Sequence, residues 1–164
     1  MSFVALLMGS QSDWPIMQSA TAVLKTLAID FEVKITSAHR TPEDTAAFVA
    51  DATARDCAVF ICAAGMAAHL AGAVAANTVR PVIGVPIDSG SLGGMDALLS
   101  TVQMPGGIPV ATVAIGKAGA KNAAFLAGQI MALGDPALRE RLEQERARNR
   151  ETIRQHNEAL QSQL

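Results

Sequence analysis

The segment Ser37-Ala38-His39-Arg40-Thr41-Pro42 places an imidazole, a group that exchanges protons near neutral pH, beside a fixed cation that can grip a phosphate through two parallel hydrogen bonds. By itself the hexapeptide reads equally well as a loop histidine next to a solvated arginine. A second segment, Gly9-Ser10-Gln11-Ser12-Asp13-Trp14-Pro15, joins a glycine for a tight turn, two hydroxyls and a helix start, which together favour an anion. Asp13 has two readings there, a cap for the helix or a carboxylate for paired ribose hydroxyls. No Gly-Lys-Ser/Thr follows, which excludes a P-loop, and G-x-G-x-x-G is missing, which excludes the dinucleotide fingerprint. A third segment, Ala63-Ala64-Gly65-Met66-Ala67-Ala68-His69, is made of small residues that let a backbone approach a planar ligand closely. Taken alone, His69 reads as a structural histidine, and Lys121 and Asn122 as surface or cap residues.

The elements that must position these segments are legible as short apolar runs. Phe3–Met8, Phe31–Ile35, Ala58–Cys62, Val82–Val85 and Val110–Ile115 read as strands, separated by Ala-rich stretches with helical periodicity of about ten to sixteen residues. Runs that do not alternate are expected of a parallel sheet covered on both faces. The expected fold is therefore α/β, a three-layer, doubly wound, flavodoxin-like sheet of five parallel strands in the order 2-1-3-4-5. In that order the loops after strands 1, 2 and 3 end at one rim, so Gly9–Asp13, Ser37–Thr41 and Ala64–Ala68 converge. The constellation suits a phosphorylated ribose carrying a small heterocycle.

Pro15 and Pro42 mark helix starts, and Ala118-Gly119-Ala120 opens a last core helix that ends near Gly134. Asp135-Pro136 then starts a charged helix, Ala137 to about Gln161. Residues 1–134 read as one α/β domain, and 135–164 as a helix packed on its own or a neighbouring subunit.

Half of the residues are apolar but only 4% are aromatic, so the core must be aliphatic. The net charge of −2 gives no footprint for nucleic acid or an anionic membrane. Residues 1–134 carry 7 basic and 9 acidic side chains, against 6 and 6 in the last thirty residues. So sparsely charged a surface points to a homo-oligomer. Cys57 and Cys62 show no metal or disulfide spacing and read as core residues of a reducing compartment. Phe3–Met8 is too short for a signal peptide. Cys57–Val79 and Ala97–Gly116 lack charge but are broken by glycine, proline and polar residues, so a soluble, cytoplasmic protein is expected.

Five stretches carry a resemblance: Met8-Gly9-Ser10-x-Ser12-Asp13-Trp14, Ser37 to Pro42, Ala67-Ala68-His69-Leu70, Val82-x-Gly84-Val85-Pro86 and Gln103-Met104-Pro105-x-Gly107-Ile108-Pro109-Val110. Together they resemble class I of the PurE family of purine biosynthesis, in register from about residue 3 to 133. Two stretches depart, one of them Asp96-Ala97-Leu98, where members usually have Asp-Ser-Leu. The family often reads Gly-Ala-Gly-Gly-Ala-Ala-His-Leu-Pro-Gly where this chain has Ala63-Ala64-Gly65-Met66-Ala67-Ala68-His69-Leu70-Ala71-Gly72.

The resemblance implies an isomerase that moves a carboxylate from the exocyclic nitrogen N5 of an aminoimidazole ribonucleotide to ring carbon C4. It implies no metal, biotin or ATP in that step, and hence no cofactor. His39 would be the acid and base; Ser10, Ser12, Ser37 and Arg40 would hold the phosphate, and Asp13 the ribose. Ala64, Gly65, Ala67 and Ala68 would wall the heterocycle and the carbon dioxide, with His69 orienting the carboxylate. The family forms octamers with sites at subunit junctions. Two alternatives stand beside this one: a carboxylase acting directly on the uncarboxylated ribotide, and a non-catalytic flavodoxin-like binding module. The carboxylase branch departs at Ser-Ala-His-Arg-Thr-Pro and Gln-Met-Pro, both of which this chain keeps.

Overall fold

The computed structural model of the protein describes residues 2–164. Its five strands are β1 (Phe3–Met8), β2 (Phe31–Ile35), β3 (Cys57–Gly65), β4 (Val82–Ile87) and β5 (Ala111–Thr112). All pair in parallel, in the order β2-β1-β3-β4-β5. The helices are α1 (Trp14–Thr26), α2 (Pro42–Ala54), α3 (Leu70–Ala75), α4 (Met95–Val102), α5 (Gly116–Met131) and α6 (Pro136–Gln161).

Burial on both faces explains the unbroken apolar runs. All six residues of β1 are buried, and they divide alternately. Val4, Leu6 and Met8 pack with Met17, Ala20 and Leu24 of α1 and Ala120, Ala123, Ala124 and Ala127 of α5. Phe3, Ala5 and Leu7 pack on the opposite face with Val49 and Ala52 of α2 and Leu70, Ala71 and Val74 of α3. The edge strand β2 differs, with Glu32 and Lys34 among residues that leave the core, as a protected edge should.

Several elements differ from the sequence reading. β3 runs to Gly65 because it is central, pairing with β1 as far as Ala63 and with β4 as far as Gly65. β4 continues through Pro86. Gly84 presents its carbonyl to Val113 beside β5 (3.1 Å), and Pro86, two residues on, faces the same side. The last β5 partner is opposite Gly84, so no ladder bond is lost to the proline. The expected strand Val110–Ile115 shrinks to Ala111–Thr112 because the chain turns into α5 at Gly116. There Gly119 passes so close that a methyl group on it would lie 1.5 Å from the Ala114 carbonyl oxygen. Finally, α3 has only six residues and α4 eight, both shorter than the expected helices.

Helix α6 begins at a true cap, Asp135, whose carboxylate accepts from Leu138 N–H at 3.0 Å. Leu138 and Leu142 enter the β1/α1/α5 core, and Arg141 Nε donates to the Leu27 carbonyl at 2.7 Å. The first two turns thus pack on their own chain. From residue 146 onward the helix is exposed. The charge-free stretches Cys57–Val79 and Ala97–Gly116 are strand and helix units joined by turns, and no helix among the described residues is long and apolar enough to cross a membrane.

Candidate active site

The loops after β1, β2 and β3 meet at the carboxyl rim of the sheet, as the strand order requires, around a cavity of about 530 Å³. Ser10, Ser12, Asp13, Ser37, His39, Arg40, Ala64, Gly65, Ala67 and His69 all line it. Ala68 does not. It is buried beneath the loop, so its side chain supports the wall rather than forming it. Lys121 and Asn122 lie exposed on α5, away from the cavity.

Local bonding assigns each loop its shape. After β1, Gln11–Asp13 forms one 3-10 turn in which Ser10 Oγ accepts from Ser12 N–H at 3.2 Å and from Ser12 Oγ at 2.9 Å. Asp13 occupies the N-cap position of α1, but its side chain makes no capping bond. Its carboxylate turns to Ser12 Oγ (3.4 Å) and lines the cavity, which removes the capping reading. Burial pushes its pKa up, against the opposing influence of hydrogen bonds from Ser10 and Ser12.

After β2, Ser37 Oγ accepts from the backbone N–H groups of Arg40 (3.1 Å) and His39 (3.3 Å). That hydroxyl shapes the turn, and its own proton remains to be given to a ligand. Beneath the turn lies a hydroxyl cluster with no forewarning in the motifs. Thr36 Oγ1 is 2.7 Å from Thr45 Oγ1 and 3.2 Å from Thr41 Oγ1, and Thr41 Oγ1 accepts from Ser37 N–H at 2.9 Å. Thr36 and Thr45 are buried, so the cluster fixes the turn from within.

Arg40 reaches across to loop 1, donating to the Gly9 carbonyl at 3.4 Å. Arg55 is neutralised by Glu32 and Asp51, and Arg80 by Asp56. Among the described residues Arg40 has no such carboxylate partner, so its charge is available to an anion in the cavity. His39 meets His69 from the loop after β3, Nε2 to Nδ1, at 2.6 Å. The site therefore pairs two imidazoles beside one uncompensated guanidinium.

Met66 sits in the left-handed region, φ 54°, where the resemblance places a glycine. Its side chain stands at the rim, 60% exposed. The cavity also takes in Gly9, Ala38, Met66, Leu70 and Ser89. Ser89 follows β4 and escapes a sequence reading that ends this strand at Val85; recognising strand character through Pro86 would have brought its loop to the same rim. The two cysteines are core residues, their thiol pKa values pushed up by burial, and they take no part in the site.

A sequence profile of the AIR carboxylase family matches residues 3–152. The chain belongs to the AIR carboxylase family. Within it, this AIR carboxylase family member is 52% identical over 158 residues to the N5-carboxyaminoimidazole ribonucleotide mutase of Brucella melitensis, covering 95% of this chain and 98% of the relative. It is 48% identical over 157 residues to the mutase of the same name from Bacillus subtilis, covering 96% and 97%. Among solved structures, Treponema denticola PurE superposes with a TM-score of 0.88 at 31% identity, covering 98% of this chain and 99% of that one. The family member thus shares its fold, over nearly the whole chain, with a PurE structure.

Proposed function

We propose that this chain is an N5-carboxyaminoimidazole ribonucleotide mutase of purine biosynthesis. The observation that carries the reading is the cavity itself, where Arg40, which has no carboxylate partner among the described residues, the hydroxyls of Ser10, Ser12 and Ser37, the Asp13 carboxylate and the His39–His69 pair line one space. Near 50% identity to relatives named as mutases supports it.

The chemistry requires a group that gives a proton and then takes one back. Cleavage of the N5–carboxylate bond releases carbon dioxide and leaves electrons on N5, which His39 protonates. The amine so formed makes C4 nucleophilic. C4 attacks the retained carbon dioxide, and the C4 proton passes to the neutral imidazole, restoring its starting state. No net proton or electron is consumed. Arg40 and the three serines hold the phosphate, and Asp13 holds the ribose hydroxyls. Ala64, Gly65 and Ala67, with Ala68 behind them, close off the heterocycle, so that carbon dioxide is not lost to water. His69 positions the His39 ring through their shared hydrogen bond and faces the carboxylate. Residues 1–134 carry all of this machinery, and α6 braces it.

The same reading makes the enzyme a cytoplasmic homo-octamer. Met95, Leu99 and Val102 form an exposed apolar stripe on α4, flanked by exposed Leu92 and Ile108, a face that a second copy would cover. Unbridged Cys57 and Cys62 accord with a reducing compartment.

The deciding experiment follows absorbance on N5-carboxyaminoimidazole ribonucleotide without ATP, and repeats it with uncarboxylated ribotide plus bicarbonate. Conversion of the first alone is expected. Efficient conversion of the second would assign a direct carboxylase, and binding without turnover a binding module.

A further inference from the structure

One polar side chain in the cavity has no part in the roles above. Ser89 lies just beyond β4 and is the cavity's contribution from that strand. The rim runs in the order β2, β1, β3, β4, so the strands that lead to Arg40 and Ser89 are its two ends, about 14 Å apart at ~4.8 Å per strand. Arg40 leans towards the β1 loop, which fixes the phosphate end. A ribotide laid from that end runs phosphate, ribose, heterocycle, carboxylate. Its carboxylate end therefore comes to the β3 and β4 loops.

The local packing there is tight. A methyl group on Gly65 would lie 1.8 Å from Ser89 Oγ and 3.0 Å from Ser89 Cβ. The hydroxyl is thus pressed against the backbone of the small-residue wall. Ser89 N–H donates to the Ile87 carbonyl at 3.0 Å, which holds the residue in place, while its hydroxyl finds no hydrogen-bond partner among the described residues. The one guanidinium lining the cavity is committed to the far end, so a carboxylate here needs neutral donors.

We infer that Ser89 is a substrate-binding residue that donates its hydroxyl proton to the migrating carboxylate, and to carbon dioxide while that group is detached. The inference rests on the mutase reading. It deepens that reading by adding a donor specific to the carboxylated forms.

The test compares Ser89→Ala with wild type in two measurements. Calorimetric titration with uncarboxylated aminoimidazole ribonucleotide should give the same affinity in both, while the carboxylated product should bind about tenfold more weakly to the variant. Turnover of substrate labelled in the carboxylate, in unlabelled bicarbonate, should lose several-fold more label to solution from the variant. Equal affinity of both proteins for the carboxylated product, or an equal loss of affinity for both ligands, would overturn the assignment. Label retention equal to wild type would do the same. Wild-type turnover of the carboxylated ribotide is the control. If that fails, the mutase reading falls; if it succeeds and the variant behaves as wild type, only the role of Ser89 falls.

Discussion

His39 Nε2 stands 2.6 Å from Nδ1 of His69, with the rings crossed edge to face at 81° and their centroids 4.8 Å apart. A hydrogen bond between two ring nitrogens needs a proton on one and a lone pair on the other, so the contact fixes how the two rings are oriented to each other. The residues come from loops after β2 and β3, strands separated in the sheet by β1. The contact therefore spans β1, the strand whose own loop carries Ser10 and Asp13.

His39→Asn is expected to fold and to bind ribotide, while turnover falls by ~10²–10⁴. Near-wild-type kcat would refute its role as acid and base. His69→Ala should lower kcat with little change in KM, and His69→Asn, which keeps a polar partner for His39, should recover part of the loss. A change confined to KM would place His69 in binding instead.

Arg40→Ala removes the guanidinium that lines the cavity with no carboxylate partner among the described residues. A charged hydrogen bond is worth ~1.5–3 kcal/mol, so ribotide affinity should fall by roughly 10- to 150-fold. Arg40→Lys should recover little, since an ammonium cannot reproduce two parallel bonds. Titration with the ribotide and with its dephosphorylated nucleoside checks this; the mutation should leave nucleoside binding unchanged.

Asp13→Asn should stabilise the fold at neutral pH while weakening ribotide binding. Burial raises the Asp13 pKa in the folded state, so the native protein binds the proton more tightly than the unfolded chain does. Its contribution to stability is therefore most favourable in acid and declines as pH rises from the usual aspartate value through the raised one. The advantage of Asn over Asp should appear above that window and shrink as pH falls through it. Denaturant midpoints at pH 7 and pH 4 measure this, and an advantage that grows towards acid would contradict it.

Thr45→Val should strip the turn beneath the site of one buried hydroxyl and leave that of Thr36 short of a partner, at a cost of ~1–3 kcal/mol. The expected fall in Tm is ~2–4 °C for each kcal/mol in a chain of this size. Because Thr45 bears on the turn that holds His39 and Arg40, kcat/KM should fall with it. An unchanged Tm would show that the cluster carries no stability.

Met66→Gly replaces a side chain held at φ 54°. Left-handed geometry costs a non-glycine residue ~1–2 kcal/mol, and the extra freedom of glycine in the unfolded chain returns ~0.5–1 kcal/mol of that. A net gain of up to about 1.5 kcal/mol is expected, read as a higher denaturant midpoint at unchanged m-value. A lower midpoint would mean that the methionine side chain packs more strongly than its backbone is strained.

Much of this molecule is determined by residues acting on their chain neighbours, and that much the sequence yields alone. Phe3–Met8 and Phe31–Ile35 are strands to the residue, and Pro15, Pro42 and Pro136 stand at helix starts, because apolar runs and fixed φ angles act locally. The strand order is one of the two common doubly wound arrangements, and the convergence of three loops comes with it. Only the tertiary structure decides what those loops do on meeting. It turns Asp13 away from the helix end it was equally fit to cap, gives the Ser37 oxygen to the turn, buries Ala68 and joins His39 to His69. It also extends β3 and β4 to Gly65 and Ile87, which brings Ser89 to the rim. These outcomes depend on how far paired strands run and on which donor lies nearest in space. Both are set by packing between residues distant in the chain.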